Sequence, residues 1–168
     1  MKLVGFAHKL GDDINTDVII SGRYKFHITD MEELSKHIFE DIDPDFAKNL
    51  KPGESIIVAG QNFGLGSSRE QAPLAIKASG IIAVLAKSFA RIFFRNSFNV
   101  GLPLIELDTE SIEQSDKLEI DLDQGMVFDL TKSKEFKIKP LPQIMKRLLE
   151  DGGLISHYKK HNGLKLDL

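Results

Sequence analysis

Hydrophobic and polar positions change their spacing along the chain, and this spacing predicts both strands and helices. Residues 2–8 alternate weakly between apolar and polar side chains, which is typical of a half-buried strand. Two short apolar runs, IIVA at 56–59 and IIAVLA at 81–86, are bounded by turn residues and indicate buried strands. Between them, residues 73–80 predict a short helix that Gly80 closes. A strand, loop, helix and strand in this order predict a βαβ unit with parallel strands.

The segment before this unit carries shorter signals. The β-branched run at 18–20 predicts a short buried strand, and residues 21–30 predict a loop. Asp30 is followed three residues later by Glu33, which is the spacing of a capping box. We therefore expect a helix from Asp30 to about residue 40.

A further helix is expected directly after the βαβ unit. Ser88 stands where a cap residue belongs, before the amphipathic run at 89–98. Gly101, followed by Leu-Pro, ends that helix before the apolar run LPLIEL.

The last third of the chain changes to alternating, charged strands. A hairpin is expected around residues 123–125 and another strand at 135–140. Residues 142–163 then predict an amphipathic helix, a stop at Gly152-Gly153 and a second short helix. No repeat or low-complexity linker divides the chain, so residues 1–168 are expected to form one α/β domain with a β-rich flank.

The charge balance excludes several classes of partner. The 168 residues carry a formal net charge of −3, which gives no electrostatic attraction to nucleic acid or to a membrane surface. No apolar run reaches the roughly 18 residues that cross a bilayer. The N-terminus lacks the pattern of a signal peptide, so a cytoplasmic location is expected.

The chain contains no cysteine. It can therefore form no disulfide, no thiolate nucleophile and no cysteine-ligated zinc or iron–sulfur site of its own. If an iron–sulfur cluster takes part in its function, another chain supplies it. The histidines are scattered along the sequence, and no metal site built within this chain is expected; they are His8, His27, His37, His157 and His161.

The stretch NFGLGSSREQ at 62–71 carries the strongest candidate chemistry. Proline is tolerated only in the first turn of a helix, so Pro73 places the helix start at about residue 70 or 71. Ser67, Ser68 and Arg69 then lie between a buried strand and the positive end of a helix. Sheets of this class place ligands at that edge. The sequence thus predicts an anion site, with a tight turn and a capped helix as the alternative without function.

Known phosphate and nucleophile motifs do not fit this loop. No lysine follows Gly66 as a Walker loop requires, and Arg69 stands where the dinucleotide fingerprint has its third glycine. Neither Ser67 nor Ser68 has glycines two residues away on both sides, as a hydrolase elbow has.

Three segments together are similar to one known family. The chain contains GDDINTDVIISGRY, GQNFGLGSSREQA and AKSFARIFFRNSFNVGLP in this order. Over about residues 2–160 it resembles the small subunits of isopropylmalate dehydratase and homoaconitase, the swivel domain of the aconitase superfamily. The resemblance implies a swivelling β/β/α domain with a mixed sheet, flanking helices and a β-rich C-terminal flank.

The resemblance also implies an activity shared between two chains. A large subunit would carry a [4Fe–4S] cluster on three cysteines, and this chain would complete the site in a hetero-oligomer. Ser67 would be the base that removes a proton next to a carboxylate, while Ser68 and Arg69 would bind a substrate carboxylate. The reaction would be reversible dehydration and rehydration of a hydroxy di- or tricarboxylic acid. Isopropylmalate is the favoured substrate, and homoaconitate or a substituted malate is the alternative substrate. A distant alternative to the enzyme is a stand-alone regulatory module that binds carboxylates.

The segment SGRYKFHITD at 21–30 corresponds to the family's loop that closes over the substrate. By this resemblance Phe26 and Ile28 would face an alkyl group, while Lys25 or His27 would meet a carboxylate. Their alternative roles are an aromatic anchor for Phe26 and a solvated loop residue for His27.

Other charged residues near these motifs have less specific roles. Asp17, in the family's TD element, is expected to orient the loop rather than to touch substrate. Arg91 and Arg95 lie four apart on one helix face beside Lys87. They form a solvated basic stripe or salt bridges, or else they hold the large subunit or tune the potential of the site.

Overall fold

A single mixed sheet forms the centre of the molecule. The computed structural model describes residues 1–164, apart from the side chain of Lys25. The strands are β1 (Lys2–Lys9), β2 (Ser55–Val58), β3 (Ile81–Ala86), β4 (Leu104–Glu106), β5 (Lys117–Asp121), β6 (Met126–Asp129) and β7 (Lys134–Lys137). They form a seven-stranded sheet in the order β4-β3-β2-β1-β5-β6-β7. β1 to β4 pair in parallel, whereas β5, β6 and β7 add antiparallel neighbours.

Short helices connect and flank these strands. The helices are α1 (Thr16–Ile19), α2 (Gly22–Lys25), α3 (Met31–Ser35), α4 (Gln71–Ala78), α5 (Arg91–Val100), α6 (Gln143–Glu150) and α7 (Leu154–His161), with a 3₁₀ turn at Ala47–Asn49. None of the helices in the described part of the chain is long and apolar enough to cross a membrane.

The expected βαβ unit is confirmed. β2, α4 and β3 follow one another, and β2 and β3 pair in parallel with Val58 opposite Leu85. Both strands are buried almost throughout, which explains their unbroken apolar sequence. Because β1 pairs in parallel on the other side of β2, with Lys9 opposite Val58, the carboxyl ends of three strands meet at one edge. The loops after β1, β2 and β3 therefore lie together.

The strand expected at residues 18–20 is wrong, because Val18 and Ile19 belong to α1 and Ile20 is its C-cap. Asn15 caps the helix: its side-chain oxygen accepts a hydrogen bond from the backbone N–H of Val18 at 2.9 Å. Ile19 is fully buried and Ile20 nearly so. The β-branched residues thus reach the core from a helical turn, and tertiary packing outweighs their preference for strands.

The neighbouring segment is also more ordered than expected. The loop expected at 21–30 contains the single turn α2. The next helix does begin after Asp30, whose carboxylate accepts from Glu32 N–H at 2.9 Å. Glu33 pairs with Lys36 at 2.6 Å and does not complete a capping box. Regular helix ends at Ser35 rather than near residue 40, and turns continue beyond it.

The C-terminal third agrees with the sequence pattern. β5 and β6 form the expected hairpin, and β7 extends it. α6 and α7 are separated by Gly152 and Gly153, both with positive φ. A side chain at Gly153 would lie 2.5 Å from the carbonyl oxygen of Asn99, so glycine lets this helical hairpin dock on the end of α5. The expected α/β class with a mixed sheet and a β-rich flank is confirmed.

Candidate functional site

The loop after β2, residues 60–70, is held on one side by the chain that follows β1. We call this segment the glycine loop. Its Gly64 N–H donates to the carbonyl of Ile14 at 2.7 Å, and Thr16 N–H donates to the carbonyl of Leu65 at 2.9 Å. These bonds join the glycine loop to the start of α1 and give it a defined backbone path.

The chain that follows β3 holds the other side of the glycine loop. Phe63 N–H donates to the Ser88 carbonyl at 3.0 Å, and Ala90 N–H donates to the Phe63 carbonyl at 3.0 Å. Ser88 was expected to cap α5, but its hydroxyl accepts from Asn62 N–H at 2.8 Å and Ala90 occupies the cap position. Ser88 therefore stabilises the glycine loop instead of the helix.

Two glycines have backbone conformations that the shape of this loop requires. Gly64 has φ +83°, and a Cβ there would lie 2.2 Å from Cγ of Phe93. Gly66 has φ +101°, with its nearest neighbour, Thr16 Oγ1, 3.4 Å from such a Cβ. The first glycine is needed for both conformation and space, and the second chiefly for conformation.

Ser67 is exposed, and the buried Thr16 holds its backbone. Thr16 Oγ1 donates to the carbonyl of Ser67 at 3.1 Å and lies 3.4 Å from Ser67 Oγ. A hydroxyl has one proton. With that proton directed to the carbonyl, Thr16 Oγ1 can accept from the Ser67 hydroxyl, and both contacts position the exposed Ser67 side chain. Thr16 has no distinguishing signal in the sequence except its place beside Asp17.

Ser67, Ser68 and Arg69 line one cavity of about 210 Å³. This is smaller than the roughly 300–1,000 Å³ of a complete small-molecule site. α4 begins shortly after Arg69, and no side chain caps its N-terminus. The positive end of this helix therefore lies close to the cavity. The residues that line the cavity are Thr16, Gly64, Gly66, Ser67, Ser68, Arg69, Ala90, Arg91, Ile92, Phe93 and Asn96.

The 21–30 segment reaches this site through Phe26. The guanidinium carbon of Arg69 lies 5.3 Å from the centre of the Phe26 ring, within the range of a cation–π contact. Phe26 is 74% exposed, the highest value among the exposed large hydrophobic residues that the structure describes. Tyr24 anchors the segment behind it: its hydroxyl donates to Glu40 at 3.1 Å and its ring stacks on His37 at 3.9 Å.

The other residues predicted in this segment have different surroundings. His27 is exposed, while Ile28 is half-buried and packs against the core. The side chain of Lys25 lies outside the described part of the structure. Of the segment's described side chains, none lines the 210 Å³ cavity of the glycine loop. Asp17 is exposed in the first turn of α1, next to Thr16.

The predicted basic stripe on α5 separates into two parts. Lys87 pairs with Glu110, and this hydrogen bond raises the pKa of the Lys87 ammonium above its usual value. Arg91 and Arg95 are both exposed, and within residues 1–164 no carboxylate forms an ion pair with either. Arg91 lines the cavity with Ser67, whereas Arg95 does not.

A larger hollow of about 660 Å³ shares no lining residue with this cavity. It contains His8, whose Nε2 lies 3.1 Å from Ser55 Oγ, and burial lowers the pKa of His8. Ser55 Oγ also donates to the Lys51 carbonyl and accepts from Lys51 N–H. The Ser55 hydroxyl is thus occupied within the fold, and size alone does not make this hollow the functional site.

One group in the described residues has the composition of a metal site, which the sequence reasoning missed. His157 and His161 lie one helical turn apart on α7, and this four-residue spacing was the available signal. Asp151 accepts from His157 Nδ1 at 2.7 Å and from His161 Nε2 at 2.9 Å, and it also pairs with Lys160. These contacts describe a hydrogen-bonded clasp of the α6–α7 hairpin. Its members do not line the cavity that holds Ser67.

Comparison with known proteins agrees with the resemblance drawn from the motifs. Residues 19–110 match the aconitase C-terminal domain family. A 3-isopropylmalate dehydratase small subunit from Archaeoglobus fulgidus is 55% identical, covering 99% of this chain and 100% of the relative. The corresponding subunit from Thermodesulfovibrio yellowstonii is 51% identical, covering 95% of each chain.

A solved structure shows the same fold. The crystal structure of 3-isopropylmalate dehydratase from Methanocaldococcus jannaschii superimposes with a TM-score of 0.91 at 48% identity, covering 96% of each chain. Identity at this level over nearly the full length of several relatives establishes membership. The chain belongs to the aconitase C-terminal domain family, among the small subunits of 3-isopropylmalate dehydratase.

Proposed function

We propose that this chain, acting as one domain, is the small subunit of a 3-isopropylmalate dehydratase of leucine biosynthesis. With a large subunit it isomerises 2- and 3-isopropylmalate by removing and re-adding water. One observation carries the proposal above all: an exposed serine hydroxyl lies beside an arginine in a half-sized cavity, in a chain 55% identical to a named small subunit.

Ser67 is the proposed acid–base residue. Its oxygen takes the proton from the carbon next to a carboxylate, the hydroxyl leaves the neighbouring carbon, and a carbon–carbon double bond forms. In the return step the Ser67 hydroxyl gives its proton to the carbon that lost hydroxide, and hydroxide from water adds to the carbon that lost the proton, so the hydroxyl has moved by one carbon. A serine is a weak base, so its alkoxide needs positive potential, which Arg69 and the uncapped start of α4 supply.

Ser68 and Arg69 are the proposed carboxylate ligands. The guanidinium of Arg69 offers a planar pair of donors that matches a carboxylate. No described carboxylate forms an ion pair with this guanidinium, so its donors are available. The Phe26 ring stacked beside it gives the bound end of the substrate an apolar neighbour. Such a neighbour suits an isopropyl group better than the third carboxylate of a tricarboxylic acid.

The residues of this cavity do not fit an iron–sulfur cluster. The chain has no cysteine, and the described cavity lining contains no histidine or carboxylate. We therefore propose that the [4Fe–4S] cluster belongs to the large subunit. This chain binds and orients the substrate and exchanges a proton with it.

Reconstitution tests the proposal. The chain should be inactive alone and should gain dehydratase activity with a large subunit whose cluster is assembled. The pair should be assayed against 3-isopropylmalate, homoaconitate and methyl-substituted malates. Preferred turnover of 3-isopropylmalate supports the proposal, and preference for homoaconitate would transfer the chain to homoaconitase. Carboxylate binding by the isolated chain, without activity in any pair, would favour a regulatory module.

A further inference from the structure

Arg91 is fixed beside the proposed proton-transfer residue by backbone bonds. It is the first residue of α5, and the preceding Ala90 bonds to the Phe63 carbonyl at 3.0 Å. In the same turn Phe93 packs so closely on Gly64 that a Cβ at that glycine would lie 2.2 Å from the ring. The start of α5 is therefore tied to the loop that carries Ser67, and the position of Arg91 relative to the site is set by the fold.

The cavity collects positive charge in a chain whose net charge is negative. Arg69 and Arg91 both line it, and its described lining contains no acidic residue. Neither guanidinium forms an ion pair with a carboxylate in the described part of the chain. The whole chain has a formal net charge of −3, so this excess is local. Arg91 also lines a neighbouring hollow with Arg95 and Glu106, without an ion pair to that carboxylate. Two cations without an ion pair at one small cavity favour a ligand with two negative charges.

The cavity's remaining lining supports this reading. α5 has no side chain capping its N-terminus, so its positive end adds to the charge of Arg91. Asn96 lines the same wall and is half-buried, and its amide can donate to an oxygen atom. Ile92, also on this wall, is 52% exposed and offers an apolar contact beside the charges.

We propose that Arg91 binds the second carboxylate of the substrate, in the cavity that it lines together with Arg69. This inference rests on the proposed function, in which the substrate is a hydroxy dicarboxylate. Arg69 holds the carboxylate next to the carbon that loses its proton, and Arg91 holds the other one. With both ends held, the reacting carbon is presented to Ser67 in one orientation.

Arg95 provides a matched control on the same helix. It lies one turn beyond Arg91, is equally without an ion pair in the described residues, and does not line the cavity. Arg91→Gln should raise the KM for 3-isopropylmalate about tenfold to a hundredfold, the range for a lost hydrogen bond to a charged group. Arg91→Lys should fall between Arg91→Gln and wild type, because lysine keeps the charge without the planar fork. Arg95→Gln should leave KM unchanged.

The dissociation constant of the two subunits separates substrate binding from docking. We expect it to change by less than about twofold in every variant. An unchanged KM in Arg91→Gln overturns the inference. A second result would also overturn it. If Arg91→Gln and Arg95→Gln both weaken subunit binding, and both show a normal KM when the large subunit is saturating, then both arginines bind the large subunit rather than the substrate.

Failure of the proposed function is recognised separately. If the wild-type pair prefers another hydroxy dicarboxylate, the substrate assignment fails, and the same KM comparison with that compound still tests Arg91. If the wild-type pair acts on no hydroxy dicarboxylate, both the proposed function and the role of Arg91 are overturned.

Discussion

Replacing Gly64 by alanine perturbs the backbone of the site without removing any functional group. Gly64 has φ +83°, and the added methyl group would lie 2.2 Å from Cγ and 2.6 Å from Cβ of Phe93. Phe93 is buried and packs edge-on against Phe63 at 5.4 Å, so it has little room to withdraw. The substitution therefore combines backbone strain with overpacking.

The expected cost follows from these two effects. A non-glycine residue in a sparsely populated backbone region costs about 1–3 kcal/mol, and overpacking a core adds about 1–3 kcal/mol. Gly64→Ala should thus lower the free energy of unfolding by about 2–6 kcal/mol. Gly66 has φ +101°, but an added Cβ would have no neighbour closer than 3.4 Å, so Gly66→Ala should cost only the backbone strain. Gly11→Ala meets nothing within 4 Å and should be neutral or slightly stabilising.

Urea unfolding of the three variants measures these differences. Variants that remain folded should also be assayed with the large subunit, where Gly64→Ala should lose about tenfold to a hundredfold in turnover because Ser67 is displaced. The reasoning is refuted if Gly64→Ala is no less stable than Gly66→Ala, or if its turnover equals that of wild type.

Three further predictions concern the surroundings of Ser67 and the C-terminal clasp. Arg69→Lys should raise KM by about tenfold with a smaller loss of kcat, since the planar fork is lost and the charge kept; a wild-type KM would show that Arg69 does not hold the carboxylate. Thr16→Val should lower turnover about threefold to tenfold through the lost bond to Ser67, with recovery in Thr16→Ser; equal activity of the two variants would contradict this role. Hydrogen bonds from Lys160, His157 and His161 hold the pKa of Asp151 well below its usual value. As the pH falls, the Asp151 carboxylate is therefore protonated in the unfolded state before it is protonated in the folded state. The free energy of unfolding should decrease as the pH drops below about 4. In urea unfolding across this pH range, the free energy of unfolding of Asp151→Asn should depend less on pH than that of wild type. The same pH dependence in both proteins would show that Asp151 does not contribute to it.

The buried parallel strands could be predicted from the sequence because their signal is local. The runs at 56–59 and 81–86 are apolar, short and bounded by turns, and Pro73 fixes the start of the helix between them. The same reasoning placed Ser67 and Arg69 in one loop at the carboxyl edge of the sheet. The structure brings these two residues together in one cavity, but their roles in catalysis stay predictions.

Other features depend on contacts between distant segments and were not available from local patterns. The run at 18–20 has the composition of a strand, yet Asn15 caps it as a helix and the fold buries it in that form. Ser88 is a residue type that often caps helices, but its hydroxyl accepts a hydrogen bond from the backbone N–H of Asn62, 26 positions earlier in the chain. Thr16 and Ser67 are likewise far apart in sequence, and only the pairing of their two loops reveals their contact.

The central claim is that the Ser67 hydroxyl moves the substrate proton in a site that a second chain completes. Turnover of 3-isopropylmalate by the reconstituted pair, measured with Ser67→Ala at saturating large subunit, tests it most directly. We expect turnover to fall about a hundredfold or more, as for a lost acid–base group, with the affinity between the subunits unchanged. Turnover equal to that of the wild-type pair would contradict the claim.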